Sequence, residues 1–422
     1  MKILMFGWEF PPFISGGLGT ACDGLTRGLA GKGVDIDFVV PRMPGSQEYG
    51  HVRLVTAFSR GFDESETEDL LAHRRIHAVD TFLTPYLTET SYREILTGTI
   101  ESLKGTGAGE AVETPYGPDL FSEVMRLKVI AGPIASDSAC DVIHVHDWMT
   151  IPAGMAARDA RGRPLVVHIH SLESDRSALR LNERIYAIER LGMMEADHVI
   201  AVSHYTERKI IEQYGIPPGK ITVVHNAVSR EEAPASRRVK KDKSKKYVLF
   251  LGRITSQKGP EYFLKAARLV YERDPSVHFV IAGTGDLVHA MEEETVRLGM
   301  ENHVHFAGFV SGNDVEKTYV MSDLYVMPSV SEPFGIAALE ALTYDVPVIV
   351  SSQSGVREVI GCCPRVDYWD IEKMATVMLE ILGDENRRKE IVSACQDEMK
   401  DLTWKIAADK IVGIYDTLAG ES

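Results

Sequence analysis

Apolar positions fall in short unbroken runs along this chain, with amphipathic stretches between them. Runs at 3–6, 36–40, 142–145, 165–169, 199–202 and 221–224 predict strands. A second series lies at 248–251, 277–281, 304–307, 324–327 and 346–350. Apolar residues at helical spacing predict helices over 20–31, 205–214, 261–271 and 287–298. Strands that are apolar on both faces and alternate with helices form parallel sheets covered on both sides.

One stretch interrupts the series. Residues 229–246 read SREEAPASRRVKKDKSKK, with almost no large apolar side chain, and cannot support a core. The sequence therefore predicts two doubly wound α/β domains, at 1–228 and 247–402, joined by an exposed crossing at 229–246. Residues 59–114 are irregular and rich in acid, threonine and glycine, an elaboration of the first domain and a candidate lid. The last segment, 403–422, places Trp404, Ile406, Ala407, Ile411, Ile414 and Tyr415 at helical spacing. That stripe needs a partner, and the second sheet already has its helices.

Composition narrows the function. A length of 422 residues suits two or three domains at about 150 residues each. A content of 44% hydrophobic and 25% charged residues excludes a disordered chain, a collagen and a coiled-coil rod. No run approaches the roughly 18 apolar residues of a membrane span, and the apolar start at Met1–Gly7 is too short for a secretory signal. With 46 basic and 61 acidic side chains the net charge is −15, which argues against nucleic acid or an anionic membrane as main partner. A local pair of cations can still hold a small anion. Cys22, Cys140, Cys362, Cys363 and Cys395 show no metal-ligand spacing, so neither a zinc site nor a disulfide framework is expected. The thiols point to a reducing compartment, the cytoplasm.

In open parallel sheets, ligands bind beyond the carboxyl ends of the strands. The unusual residues cluster there. Ser331–Glu340 follows the strand at 324–327 and reads SEPFGIAALE. Pro333 suits a first helical position, and the amides of Phe334, Gly335 and Ile336 would form a helix N-terminus that favours anionic or hydroxyl-rich ligands. Glu332 and Glu340 can then reach two parts of one ligand; a capped helix with one surface glutamate is the plain alternative. After the strand at 248–251, Arg253 and Lys258 stand five residues apart and can aim at one diphosphate. Between the first strand and first helix, Ser15-Gly16-Gly17-Leu18-Gly19 is a glycine loop. It gives only a fragment of the dinucleotide fingerprint, with Cys22 at the third position and no acidic residue ending the second strand.

His144, His146, His168 and His170 end two strands with period two. Strand-end histidines of this kind are ordinarily hydrogen-bonded structural groups, these four include no i,i+4 pair, and no metal site is expected of them. Asp35-Ile36-Asp37 imitates a metal-binding DxD but enters a strand rather than a loop.

Together these segments resemble the nucleotide-sugar glycosyltransferases built from two Rossmann-like domains, the GT-B type, and above all the retaining families that include glycogen and starch synthases. The resemblance spans nearly the whole chain: WEFPPFISGGLG, HVHDW, HIHSLE, ADHVIAVSHYT, GRITSQKG, AGTGD, FAGFV and the EPFGIAALE signature, with seven residues between its glutamates. It implies a cleft between the domains and a final helix that crosses back to the first. It implies that Arg253 and Lys258 hold the donor diphosphate and stabilise the leaving group, without a cofactor or metal. Glu332 would contact the transferred sugar and Glu340 the donor ribose. The amides near Phe334, Gly335 and Ile336 would hold sugar hydroxyls, and Gly16 and Gly17 would approach the diphosphate from the first domain. His170 would stand near the reacting sugar, with Glu9, Asp147 and Trp148 on the acceptor side.

The implied reaction moves a hexose, glucose above all, from a nucleoside diphosphate such as UDP or ADP to a hydroxyl acceptor, an α-glucan. Bacterial glycogen synthases that use ADP-glucose usually carry a lysine two residues before the paired glycines. Ile14 stands there instead. That departure leaves open another donor or a small-molecule acceptor; transfer to a small molecule or lipid is the alternative reaction, and a non-catalytic nucleotide-sugar-binding scaffold is the alternative of another class.

Overall fold

The computed structural model describes residues 1–11, 16–41, 50–57, 120–177, 181–228, 242 and 244–420. The elaboration expected at 59–114 lies outside the described residues, as do Ile14, Ser15 and most of the crossing expected at 229–246.

Two parallel sheets carry the fold. The first contains β1 (Lys2–Phe6), β2 (Asp35–Val40), β3 (Arg53–Thr56), β4 (Val142–His146), β5 (Leu165–Ile169), β6 (His198–Ala201) and β7 (Ile221–Val223). Their order is β3-β2-β1-β4-β5-β6-β7. Strands β1, β4 and β5 are buried almost throughout, as their unbroken apolar runs predict. Edge strand β3 escaped the pattern because RLVT is short and only half-buried. Around this sheet run α1 (Gly17–Ala30), α2 (Leu120–Asp137), α3 (Asp147–Arg161), α4 (Glu183–Glu195) and α5 (His204–Tyr214).

The second sheet contains β8 (Lys246–Leu251), β9 (Val277–Ala282), β10 (Val304–Gly308), β11 (Leu324–Met327), β12 (Val348–Ser351) and β13 (Arg365–Val366), in the order β10-β9-β8-β11-β12-β13. Its helices include α6 (Pro260–Arg273), α7 (Val288–Arg297), α8 (Asn313–Met321), α9 (Ile336–Thr343), α10 (Ile371–Gly383) and α11 (Glu385–Glu398). The chain reverses its winding between β1 and β4 in one sheet and between β8 and β11 in the other. A crevice opens beyond the strand ends at such switch points.

The last helix, α12 (Trp404–Gly420), leaves the second domain and joins the core of the first. Trp404 lies against Gly24 and Gly28 of α1: a Cβ on Gly24 would stand 2.2 Å from the indole, and one on Gly28 2.4 Å from the Trp404 carbonyl. Ala407, Ala408, Ile411 and Tyr415 are buried, while Ile406 of the expected stripe is 41% exposed. Lys32 and Asp409 pair across the same contact.

The Asp35-Ile36-Asp37 segment lies in β2, where Asp37 accepts hydrogen bonds from Arg53 Nε at 2.6 Å and Nη2 at 2.5 Å. It ties the edge strand to its neighbour. Among the described residues, no helix is long and apolar enough to cross a membrane.

Candidate active site

A cavity of about 700 Å³ lies between the two switch points. From the first domain it is lined by Gly16, Gly17, Asp147 and His170, and from the second by Arg253, Lys258, Glu332, Phe334, Gly335, Ile336 and Glu340. Eleven of the thirteen residues singled out in the sequence therefore share one space, contributed by loops after β1, β4, β5, β8 and β11 and by α9. The other two, Glu9 and Trp148, are buried and do not line it. Trp148 packs against Phe121 with ring centroids 5.3 Å apart. Of the three residues expected on the acceptor side, Asp147 lines the cavity.

The cations sit where β8 ends. Lys258 donates to Glu332 Oε2 at 2.6 Å, and Ser329 Oγ donates to the same oxygen at 3.1 Å. Arg253 Nη2 donates to Gln257 Oε1 at 3.2 Å, and Gln257 Nε2 in turn donates to the Ser331 carbonyl at 3.1 Å. Buried Gln257 thus joins the two loops. Nothing in the local sequence signals this role, because a glutamine between two candidate cations reads as loop polarity. The β8 and β9 loops also touch: a Cβ on Gly283 would lie 1.9 Å from the Gly252 carbonyl oxygen, at a φ of +138°. Only glycine fits there.

Helix α9 begins at Ile336, not at Pro333 as expected. The reason is tertiary. The Pro333 carbonyl accepts hydrogen bonds from Ser203 Oγ at 2.6 Å and Thr206 Oγ1 at 3.3 Å, both at the start of α5 in the other domain. Gly335, at φ 112°, then turns the chain into the helix. Ser331 is held from the first domain too, donating to Asp175 Oδ1 at 2.6 Å. Glu340 accepts from Tyr319 OH at 3.0 Å, and burial raises its pKa above the ordinary carboxylate range.

On the facing side α1 starts at Gly17, directly after Gly16. Among the described residues, a Cβ on either glycine would meet nothing within 4 Å. Asp147 sits at φ 59°, and its Oδ1 accepts from the amides of His170 at 2.6 Å and Ser171 at 3.2 Å. Burial raises its pKa to about 6, against the lowering effect of Arg176 and those two amides. Among the described residues, His144, His146 and His168 each bring a ring nitrogen within 4.8 Å of the other two. Their rings overlie one another, His144 and His146 at 4.6 Å and 22°. His144 Nδ1 is hydrogen-bonded to Tyr415 OH at 2.5 Å, and His146 Nδ1 to His170 Nε2 at 2.9 Å.

Two doubly wound domains closing on a cavity with paired cations on one wall and a glycine loop on the other define a GT-B glycosyltransferase. Comparison with known proteins agrees. Residues 16–227 match the glycosyl transferase 4-like domain, and residues 231–397 match glycosyl transferases group 1. The chain belongs to this glycosyltransferase family. An uncharacterized glycosyltransferase of Methanocaldococcus jannaschii is 30% identical, over 98% of each chain. A glycogen synthase of Mycobacterium tuberculosis is 24% identical, over 98% of this chain and 94% of that protein. In fold, the chain is similar to a sucrose-phosphate synthase of Thermosynechococcus elongatus, with a TM-score of 0.75 at 17% identity and all of both chains covered.

Proposed function

We propose that this glycosyltransferase moves glucose from a nucleoside diphosphate to a hydroxyl of an α-glucan and retains the anomeric configuration. The observation that carries the reading is the convergence of Arg253, Lys258, Glu332 and Glu340 with Gly17 and His170 around one cavity. The full-length similarity to a glycogen synthase supports glucose and a glucan.

The roles follow from charge. Breaking the glycosidic phosphate bond puts negative charge on the diphosphate and positive character on the sugar. Arg253 and Lys258 offset the first, and fixed cations aimed at developing charge are commonly the largest catalytic contribution. No metal is required for that purpose. Glu332, on the far side of Lys258, contacts the sugar as it gains positive character. Glu340 takes the ribose hydroxyls. The amides that head α9 hold sugar hydroxyls, and the space that the described residues leave open beside Gly16 and Gly17 admits the diphosphate to the start of α1. Asp147 lies on the acceptor side. Retention comes from same-face attack, with the acceptor hydroxyl entering where the diphosphate leaves. The unpaired thiols support a reducing compartment, the cytoplasm.

The test is a donor panel of UDP-, ADP- and GDP-sugars, read by released nucleoside diphosphate, with glycogen, maltooligosaccharides or no acceptor. Glucan-dependent release with an α-linked product by NMR is expected. A β-linked product overturns retention. Release that needs no acceptor overturns transfer to glucan, and release only with small alcohols or sugar phosphates would favour the acceptor class that Ile14 left open.

A further inference from the structure

Strand alternation puts His144 and His146 of β4 on one face, and the register of β4 with β5 sets His168 beside His146. His170 follows at the end of β5, its ring 4.3 Å from that of His168, and reaches the cavity. The His146 ring is enclosed by His144, His168 and Phe38. Burial lowers the basicity of both His146 and His170, the latter to about 3. Two neutral imidazoles joined at 2.9 Å share one proton, so each ring is fixed in one tautomer.

There are two assignments. If His170 donated from Nε2, His146 would carry its own proton on Nε2, a buried nitrogen without a hydrogen-bond partner among the described residues. His170 would then turn a bare Nδ1 towards the cleft. If His146 donates from Nδ1, its Nε2 keeps only a lone pair, and the His170 proton sits on Nδ1. A buried N–H with no acceptor is the rarer and costlier defect, which favours the second assignment.

We propose that His146 is a positioning residue: it donates Nδ1–H to His170 Nε2 and so presents His170 to the cleft as a neutral Nδ1–H donor. The donor faces a hydroxyl of the transferred sugar, an assignment that rests on the reading of His170 given above. Asp147 fixes the His170 main chain and His146 fixes its ring. The chemistry gains from both properties. A donor holds a hydroxyl in register, and a neutral ring adds no positive charge beside a sugar that is itself becoming positive.

The experiment combines long-range proton–nitrogen NMR of the protein labelled with ¹⁵N-histidine and kinetics of two variants. In the wild type, His170 is expected to show a protonated Nδ1 and a bare Nε2. His146→Phe keeps a ring but no donor; His146→Asn keeps an amide N–H near the place of Nδ1. His146→Phe should lower kcat about 10- to 100-fold with little change in donor KM and release His170 into mixed tautomers, while His146→Asn restores most of kcat. A wild-type His170 protonated on Nε2 overturns the inference. So do equal losses in both variants with an unchanged His170 tautomer, which would make His146 merely structural. Should His146→Phe fail to fold, the wild-type spectrum and His146→Asn still decide. The spectrum does not depend on turnover: unaltered transfer by His170→Ala overturns the reading of His170 instead.

Discussion

Lys258 Nζ lies 2.6 Å from Glu332 Oε2 and joins the loop after β8 to the loop after β11. Under the proposed function the pair places a cation of the diphosphate site against the carboxylate assigned to the sugar, so the two ends of the bond that breaks would be coupled through one contact. Lys258→Ala removes a charge-assisted bond that strengthens as the diphosphate departs and leaves Glu332 without its cation. The expected loss is about 2–4 kcal/mol of transition-state stabilisation, roughly 30- to 1,000-fold in kcat/KM. Circular dichroism should show an unchanged fold. Activity within twofold of wild type would remove Lys258 from the site.

The same geometry bears on metals. In the proposed reaction Arg253 and Lys258 supply positive charge where a DxD enzyme uses a divalent ion, and Asp37 of the DxD imitation is committed to Arg53 and Lys2. Turnover should survive EDTA with less than a twofold change. Loss on chelation that magnesium or manganese restores would contradict this assignment of roles.

How much of this was legible in the sequence depended on how local its cause was. Ile3 to Phe6 and Leu165 to Ile169 announced buried strands because central parallel strands are apolar on both faces. Arg253, Lys258, Glu332 and Glu340 were legible because each follows or enters a recognisable element. The start of α9 was misread because the Pro333 carbonyl is claimed by Ser203, 130 residues away. No propensity in EPFG records that contact. The start of helix α3 is not marked in the sequence, because HVHDW reads as a strand end and the chain enters the helix within one residue, at Asp147 with φ 59°. Glu9 and Trp148 match a motif in type and are both buried outside the cavity lining, and spacing alone does not distinguish a buried position from one that faces the cleft.

The histidine stack predicts a pH response. His168 is buried, and among the described residues neither ring nitrogen has a hydrogen-bond partner. Burial, followed by the neighbouring histidines, lowers its pKa well below the ordinary value; His144 and His170 fall to about 3. The stability that goes with neutral rings is complete above about pH 6.5, the unfolded value, and is lost as pH falls towards 3. Each ring contributes up to about 1.4 kcal/mol per pH unit in that window. Asp147, raised to about 6, acts in the opposite sense, its share present below about 4 and lost by 6. One carboxyl does not offset four imidazoles. His168→Phe should therefore raise the melting temperature at pH 5 by more than at pH 8. An equal shift at both pH values would show that His168 finds a partner for its proton.

Domain coupling can be tested at α12 without truncation. Gly28 lies in α1, and a side chain there would strike the Trp404 main-chain carbonyl, which cannot turn aside as a flexible side chain can. Gly28→Leu must push the helix off the first domain, and overpacking of this kind costs about 1–3 kcal/mol. The displaced helix also carries Tyr415, the hydrogen-bond partner of His144 beneath the cleft. The diphosphate cations belong to the second domain, whose core does not include α12. The variant should melt several degrees lower and lose turnover, yet bind the nucleoside diphosphate within about threefold of wild type by calorimetry. Full turnover with an unchanged melting temperature would mean that the contact between Trp404 and α1 does not hold the first domain in place. Loss of diphosphate affinity with unchanged melting would mean that α12 serves the second domain instead.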